Sequence, residues 1–303
     1  MGDLTPEVQR IAGNLLSQGQ VDLVLGWAKA PSNGQSVPAC IRQAEQAGRL
    51  IFDQYCIHNL ATGLLDHRDS SERIGIFVKG CDSRGIVRLA EDGQFPRERL
   101  YIVGICCPGM KDQAACDRAA SGLFGETAGD SELAGKCRQC AHPNPVIYDE
   151  LLGDQQPPFL NDVRFSDVQR IEAMGIGERG EFFSQIFSKC IRCYACRNIC
   201  VACNCRQCIF DETRPQWVGR STSAADNMMY HAFRAMHVAG RCVECGECER
   251  VCPAGLPLML LNRKLIKDID QLFGPYEAGL SLEEGARPPL SSYRVEDPDP
   301  FVR

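Results

Sequence analysis

The chain has no apolar run long enough to cross a bilayer. Its longest such stretch, Leu256 to Leu261, falls far short of the roughly 18 residues that a spanning helix needs. The first thirty residues also lack the basic-then-apolar order of a secretory leader, so a cytoplasmic location is expected. Lysine and arginine form no stripe able to track a phosphate backbone, and the net charge is −6, which argues against nucleic acid as a partner. No nucleophile stands beside a base. His58, His67, His142, His231 and His237 show no catalytic spacing, and packed or solvated imidazoles are the default reading.

Cysteine is abundant instead: nineteen residues among 303, seven of them between Cys190 and Cys208. A reducing cytosol keeps thiols from pairing, so a dense pattern reads as metal ligation. The odd count and the adjacent Cys106 and Cys107 also fit a disulfide framework poorly. Cys190, Cys193, Cys196 and Cys200 follow C-x2-C-x2-C-x3-C, and Cys242, Cys245, Cys248 and Cys252 repeat the spacing with Pro253 after them. Three thiolates so spaced can wrap one cubane, while in two-cluster ferredoxins the fourth ligates the other cluster. This assigns Cys190, Cys193, Cys196 and Cys252 to one [4Fe–4S] cluster and Cys242, Cys245, Cys248 and Cys200 to a second. Zinc sites are usually built from two separated cysteine pairs and do not ask for the third cysteine.

Cys203, Cys205 and Cys208 follow the first run. They are too few to hold a further metal centre unless a fourth ligand comes from elsewhere; spare thiols or a partner-supplied ligand stand equally open. A cubane on four thiolates carries a charge of about −2 that cations or N–H groups must answer when buried. Lys189, Arg192, Arg197 and Arg206 surround the first run and could do so, or could simply be solvated. Glu244 and Glu247, inside the second run, could tune the local field, with solvation as the default reading.

Apolar spacing predicts a helix from Thr5 to Gly19, a strand over Val21 to Ala28, a helix over Cys40 to Phe52, and strands at Ile74 to Val78 and Leu100 to Ile105. The fold class expected is α+β: an α/β layered domain over residues 1–155, a linker over 156–180, a mostly α-helical two-cluster domain over 181–274, and an extended tail over 275–303. Helical spacing recurs at Phe182 to Phe187, Ala224 to Ala239 and Leu256 to Phe273. The helix at Ala224 to Ala239 would span the 41 residues between the two cysteine runs. "GIGERG" (Gly175 to Gly180) matches G-x-G-x-x-G but lacks a preceding strand, so it is read as part of the linker. Cys40, Cys56 and Cys116 read as small buried hydrophobes or unpaired thiols.

In the amino-terminal part, "VKGCDSRG" places Cys81 where a strand ends and a helix begins, with Asp82 and Ser83 as candidate caps. "YIVGICCPGM" places Cys106 and Cys107 at the end of a second strand. Sites in open α/β sheets assemble beyond the carboxyl ends of strands, so Cys81 and Cys107 could converge there. "KCRQCAHPNPVIYDELLG" adds Cys137 and Cys140.

These three segments, with "KCIRCYACRNIC", resemble the beta subunits of coenzyme F420-reducing hydrogenases and formate dehydrogenases over most of residues 74 to 255. The resemblance implies a flavoprotein with an iron–sulfur cluster in its α/β domain, with Cys81, Cys107, Cys137 and Cys140 as ligands of a third [4Fe–4S] cluster. Where relatives read Pro-Cys, this chain has Cys106-Cys107, and either thiol could ligate. No compact motif marks FAD contacts. The reading is an iron–sulfur, FAD-containing electron-transfer subunit of a cytosolic oxidoreductase complex. It would relay electrons between a flavin or a dehydrogenase or hydrogenase partner and a heterodisulfide-reductase-like partner. A flavin-free ferredoxin-like adaptor and a non-redox zinc scaffold are the alternatives.

Overall fold

A computed structural model describes residues 3–112, 133–159, 164–282 and 289–290. The chain divides into two compact units, Met1–Asp162 and Val163–Arg303. Cys116 lies outside the described residues.

The first unit is built on a mixed sheet. Helix α1 (Thr5–Ser17) has Pro6 in its first turn, where a missing N–H costs nothing, and buries Val8, Ile11, Ala12 and Leu15. Strands β1 (Leu23–Lys29), β4 (Ile74–Val78), β5 (Leu100–Ile105) and β6 (Glu150–Leu152) run parallel in that order, and β2 (Ser36–Ile41) pairs antiparallel with β1 at the edge. The strands β1, β4 and β5 are almost wholly buried, as the continuous apolar runs of parallel strands require. Helix α2 (Gly80–Glu91) leaves directly from β4.

The helix expected over Cys40 to Phe52 is not formed. That stretch holds the end of β2, a 3-10 turn (Ala44–Arg49) and β3 (Leu50–Ile51), which pairs with β1 beyond the residues taken by β4. Pairing outweighs the local spacing: Cys40 lies opposite Leu25, and Gln9 Nε2 donates to Leu50 O at 2.8 Å, tying β3 to α1. Pro38 is tolerated in β2 because the strand is at the sheet edge.

Among its described residues the second unit is helical, with α3 (Ser166–Glu172), α4 (Ile176–Ser188), α5 (Ala195–Asn198), α6 (Ala224–His237), α7 (Glu247–Arg250) and α8 (Met259–Phe273). Part of the stretch read as linker is therefore helical, and "GIGERG" forms the entry to α4 with Gly175 as its cap. Ser223 caps α6 by accepting from Asp226 N at 3.2 Å. α6 packs on α4 and α8, and the core gathers Phe187, Phe210, Tyr230, Leu256 and Leu258 with Cys196 and Cys248. The start of the tail is bound into this unit, since Tyr276 donates to Gly240 O at 2.9 Å, Glu277 pairs with Arg164 and Ala278 is buried. No helix of the described residues is long and apolar enough to cross a membrane.

Candidate metal centres

The two cysteine runs adopt the same backbone. In each, the residue before the second cysteine and the residue after it take left-handed φ: Arg192 (56°) and Tyr194 (60°) in the first, Glu244 (53°) and Gly246 (67°) in the second. Each loop then enters a one-turn helix, α5 or α7, carrying the third cysteine, and these two helices pack together. The curled loops turn N–H groups inward. Arg192 N lies 3.4 Å from Cys190 Sγ, Leu256 N lies 3.4 Å from Cys252 Sγ, and Cys242 accepts from the Glu244 backbone.

Cys190, Cys193, Cys196 and Cys252, grouped by spacing alone, line a single concavity of about 330 Å³, its open mouth included. Its other walls include Tyr194, Tyr230, His231 and Leu258. Burial pushes the Cys190 thiol up, and the proximity of Cys196 and Cys252 adds to the shift. Cys193 is exposed. In the second group, burial raises Cys242 and pushes Cys248 up to about 12, and both feel Cys200. Cys245 is half-buried. Cys248 also feels Cys196, so the two groups abut.

Cys203 donates to Cys200, which lowers the Cys200 thiol and raises that of Cys203. Cys205 is exposed, and Cys208 is half-buried within reach of Arg197.

The helix that spacing alone cast as a spacer lies against these thiols. Asn227, Tyr230, His231 and Arg234 share one buried face of α6. Asn227 Nδ2 donates to Phe187 O (3.0 Å), Cys190 O (2.9 Å) and Thr222 O (3.2 Å). Tyr230 Oη lies 3.6 Å from Cys196 Sγ and His231 Nε2 lies 3.3 Å from Cys190 Sγ. Burial, with Arg234 and Arg192 nearby, pulls His231 down to about 4. Arg234 donates to Cys196 O at 2.9 Å. The clue available beforehand was the i, i+4, i+7 recurrence of polar Asn227, His231 and Arg234 along one face of the helix.

Of the four cations singled out beforehand, Arg192 is buried and hydrogen-bonded to Gly219 O and Ser221 O. Arg197 pairs with Asp211 at 2.9 Å, while Lys189 and Arg206 are exposed. Glu244 and Glu247 are not solvated. Glu247 is fully buried against Arg250 (2.7 Å), and Glu244 is held by Arg164 (2.5 Å) and Arg263 (3.2 Å).

In the first unit Cys81 follows β4, Cys107 follows β5, and Cys137 and Cys140 lie on the loop that returns to β6. Burial raises Cys81, which feels Cys140; burial also raises Cys140, which feels Cys137. Cys107, pushed up to about 12 by burial, feels Cys137 and Cys140. The four thiols thus stand within one another's field. Cys106 does not join them: it is buried beside Gly153, and its thiol is raised by burial and by Asp154. Lys79, 1% exposed, sits behind the group with its Nζ 3.0 Å from Asp82, 3.0 Å from His58 O and 3.9 Å above the Trp27 ring. Burial alone would lower the Lys79 ammonium; Asp82, Cys81 and Cys107 outweigh it and raise it. Asp82 accepts from Lys79 N and Leu60 N, and so caps α2 as expected, whereas Ser83 Oγ donates to Gly80 O and accepts from Val146 N.

Among the described residues no three His, Cys, Asp or Glu side chains close on a point as the ligands of a single ion do. The donor sets are thiols alone, backed by N–H groups and buried cations, which suits a multi-iron cage.

Residues 189–257 match the 4Fe-4S dicluster domain. Over 110 residues the chain is 27% identical to the F420-dependent formate dehydrogenase subunit beta of Methanocaldococcus jannaschii, a match covering 36% of this chain and 27% of that protein. Over 304 positions it is 22% identical to the F420-dependent formate dehydrogenase 1 subunit beta of Methanococcus maripaludis, covering 74% of this chain and 78% of that protein. The chain thus resembles these beta subunits. Its dicluster domain supports two [4Fe–4S] clusters and carries both cysteine runs, α6 and Arg234.

Proposed function

We propose that this chain is a cytosolic, FAD-containing electron-transfer subunit of an oxidoreductase complex. It would pass electrons between a flavin or a formate dehydrogenase or hydrogenase partner and a heterodisulfide-reductase-like partner. Cys190, Cys193, Cys196 and Cys252 would hold one cubane, Cys242, Cys245, Cys248 and Cys200 a second, and Cys81, Cys107, Cys137 and Cys140 a third. Such clusters supply one-electron transfer when bound. The chain's own residues hold the thiolates, exclude water with Tyr230, Phe187 and Leu258, and answer the cage charge with Arg192, Arg234 and Lys79.

The observation that carries the reading is the single concavity lined by Cys190, Cys193, Cys196 and Cys252, because Cys252 comes from the opposite run. This exchange of the fourth ligand is the arrangement that two-cluster ferredoxins use. The mutual field of Cys81, Cys107, Cys137 and Cys140 supports the third site, and the resemblance to the beta subunits supports the flavin and the partners.

Anaerobic purification with iron, sulfide and flavin counted per chain tests it. The expected result is about twelve irons, at four per cubane, and one FAD. About eight irons without flavin would replace it with the ferredoxin-like adaptor, and zinc without iron would end both. Cys107→Ser should drop the count by about four irons and Cys106→Ser should leave it unchanged.

A further inference from the structure

Arg234 is a buried cation without a carboxylate. It is 3% exposed, and no acidic residue is paired with it among the described residues. Its Nη2 donates to Cys196 O at 2.9 Å, while its buried Nε has no hydrogen-bond partner among the described residues. A guanidinium so placed is costly unless negative charge stands nearby.

Among the described residues, thiols and not carboxylates stand beside it. Cys196, whose carbonyl it bonds, stands on α5, which packs against α7 with Cys248; both cysteines lie in this unit's core, and Cys200 and Cys248 are near enough to act on the guanidinium. Cys196 belongs to the first proposed cage, and Cys200 and Cys248 to the second. The other buried arginines of this unit have different partners: Arg192 bonds to Gly219 O and Ser221 O, with its Nη1 unpartnered among the described residues, and Arg263 pairs with Asp167 and Glu244.

We propose that Arg234 is the shared counter-ion of the two cages, a positioning residue that raises the reduction potential of both and holds them close together in potential. The inference rests on the two-cage reading of the cysteine runs. Reduction adds one negative charge to a cage, so a fixed cation between the two favours electron uptake at either one. Arginine suits the role because it stays charged in any accessible state.

The test is an anaerobic redox titration of the full chain followed by electron paramagnetic resonance, with iron counted in every sample. Arg234→Met, which keeps an unbranched stem and removes the charge, should hold its iron and make reduction of both dicluster centres about tenfold less favourable, or about 59 mV for a one-electron couple. Arg234→Lys should restore both potentials to within about threefold of the parent, some 30 mV. Iron loss in Arg234→Met with retention and parental potentials in Arg234→Lys also supports the proposal, since charge is then what the cages need. A shift confined to one centre, an unchanged pair of potentials, or equal shifts or iron loss in both variants would overturn it. Fewer than two dicluster centres in the unaltered chain would instead sink the ligand reading on which the proposal rests.

Discussion

Gly80→Ala should empty the amino-terminal thiol site while leaving the dicluster domain loaded. A methyl group at Gly80 would overlap the carbonyl oxygen of His142 and come within 2.9 Å of the His142 carbonyl carbon and of Asn144 O. These are backbone atoms and cannot rotate away. They belong to the loop that carries Cys140 and is pinned by two hydrogen bonds, Cys107 N to Pro143 O (3.0 Å) and Val146 N to Ser83 Oγ (2.9 Å). Overpacking costs about 1–3 kcal/mol and each hydrogen bond lost about 0.5–1.5, so a displaced loop is destabilised by about 2–6 kcal/mol. That displacement carries Cys140 away from Cys81 and Cys137. The assay is iron per chain after anaerobic purification, expected to fall by about four, with urea unfolding as the second readout. Gly48→Ala is the control, because no atom lies within 4 Å of a methyl group there. A Gly80→Ala chain with full iron and an unchanged unfolding midpoint would show that the close approach does not position the thiols.

Lys79→Met strands the fully buried Asp82 carboxylate without its cation, at a cost of about 3–5 kcal/mol in urea unfolding. Adding Asp82→Asn should recover a large part of that loss, and strictly additive effects in the double-mutant cycle would refute the pairing. Asn227→Ala removes the donor shared by the carbonyls of Phe187, Cys190 and Thr222 and should cost about 1–3 kcal/mol. Visible absorbance should then bleach faster under a chelator, and an unaltered bleaching rate would show that the Cys190 loop does not depend on this residue.

The parts of this molecule legible beforehand are those governed by local pattern. The runs at Ile74–Val78 and Leu100–Ile105 are apolar throughout because both faces of a parallel sheet are covered, and the structure makes them β4 and β5. The dicluster domain is likewise written in thiol spacing. What was hidden depends on partners remote in sequence. β2 and β3 exist because β1 offers them an edge and Gln9 a donor, neither of which shows in residues 36–51 themselves. His231 and Arg234 read as ordinary helix residues until α6 is seen turning that face to Cys190 and Cys196. Glu244 and Glu247 looked solvated because Arg164, 80 residues away, and the 0% exposure of Glu247 follow only from the fold. Cys107 feels Cys137 and Cys140 and Cys106 feels Asp154 because neighbouring side chains of an extended segment point to opposite sides, which residues 106 and 107 alone do not show.

The cage loops also show why glycine is not the general solution where backbone must curl. Only Gly246 occupies its left-handed position freely; Arg192, Tyr194 and Glu244 sit in the same region at a cost of about 1–3 kcal/mol each. Each of the three has a side chain that is fastened. Arg192 lies 4.7 Å over the Tyr230 ring and bonds to Ser221 O, and Glu244 is clamped between Arg164 and Arg263. Tyr194 meets Tyr230 edge-on at 5.4 Å with Arg197 4.8 Å above it. A glycine would relieve the strain and release the fastening, leaving the loop free to uncurl and its N–H groups free to leave the sulfurs. Strain offset by side-chain contacts keeps the thiols converged, which is the condition a multi-iron cage places on its protein.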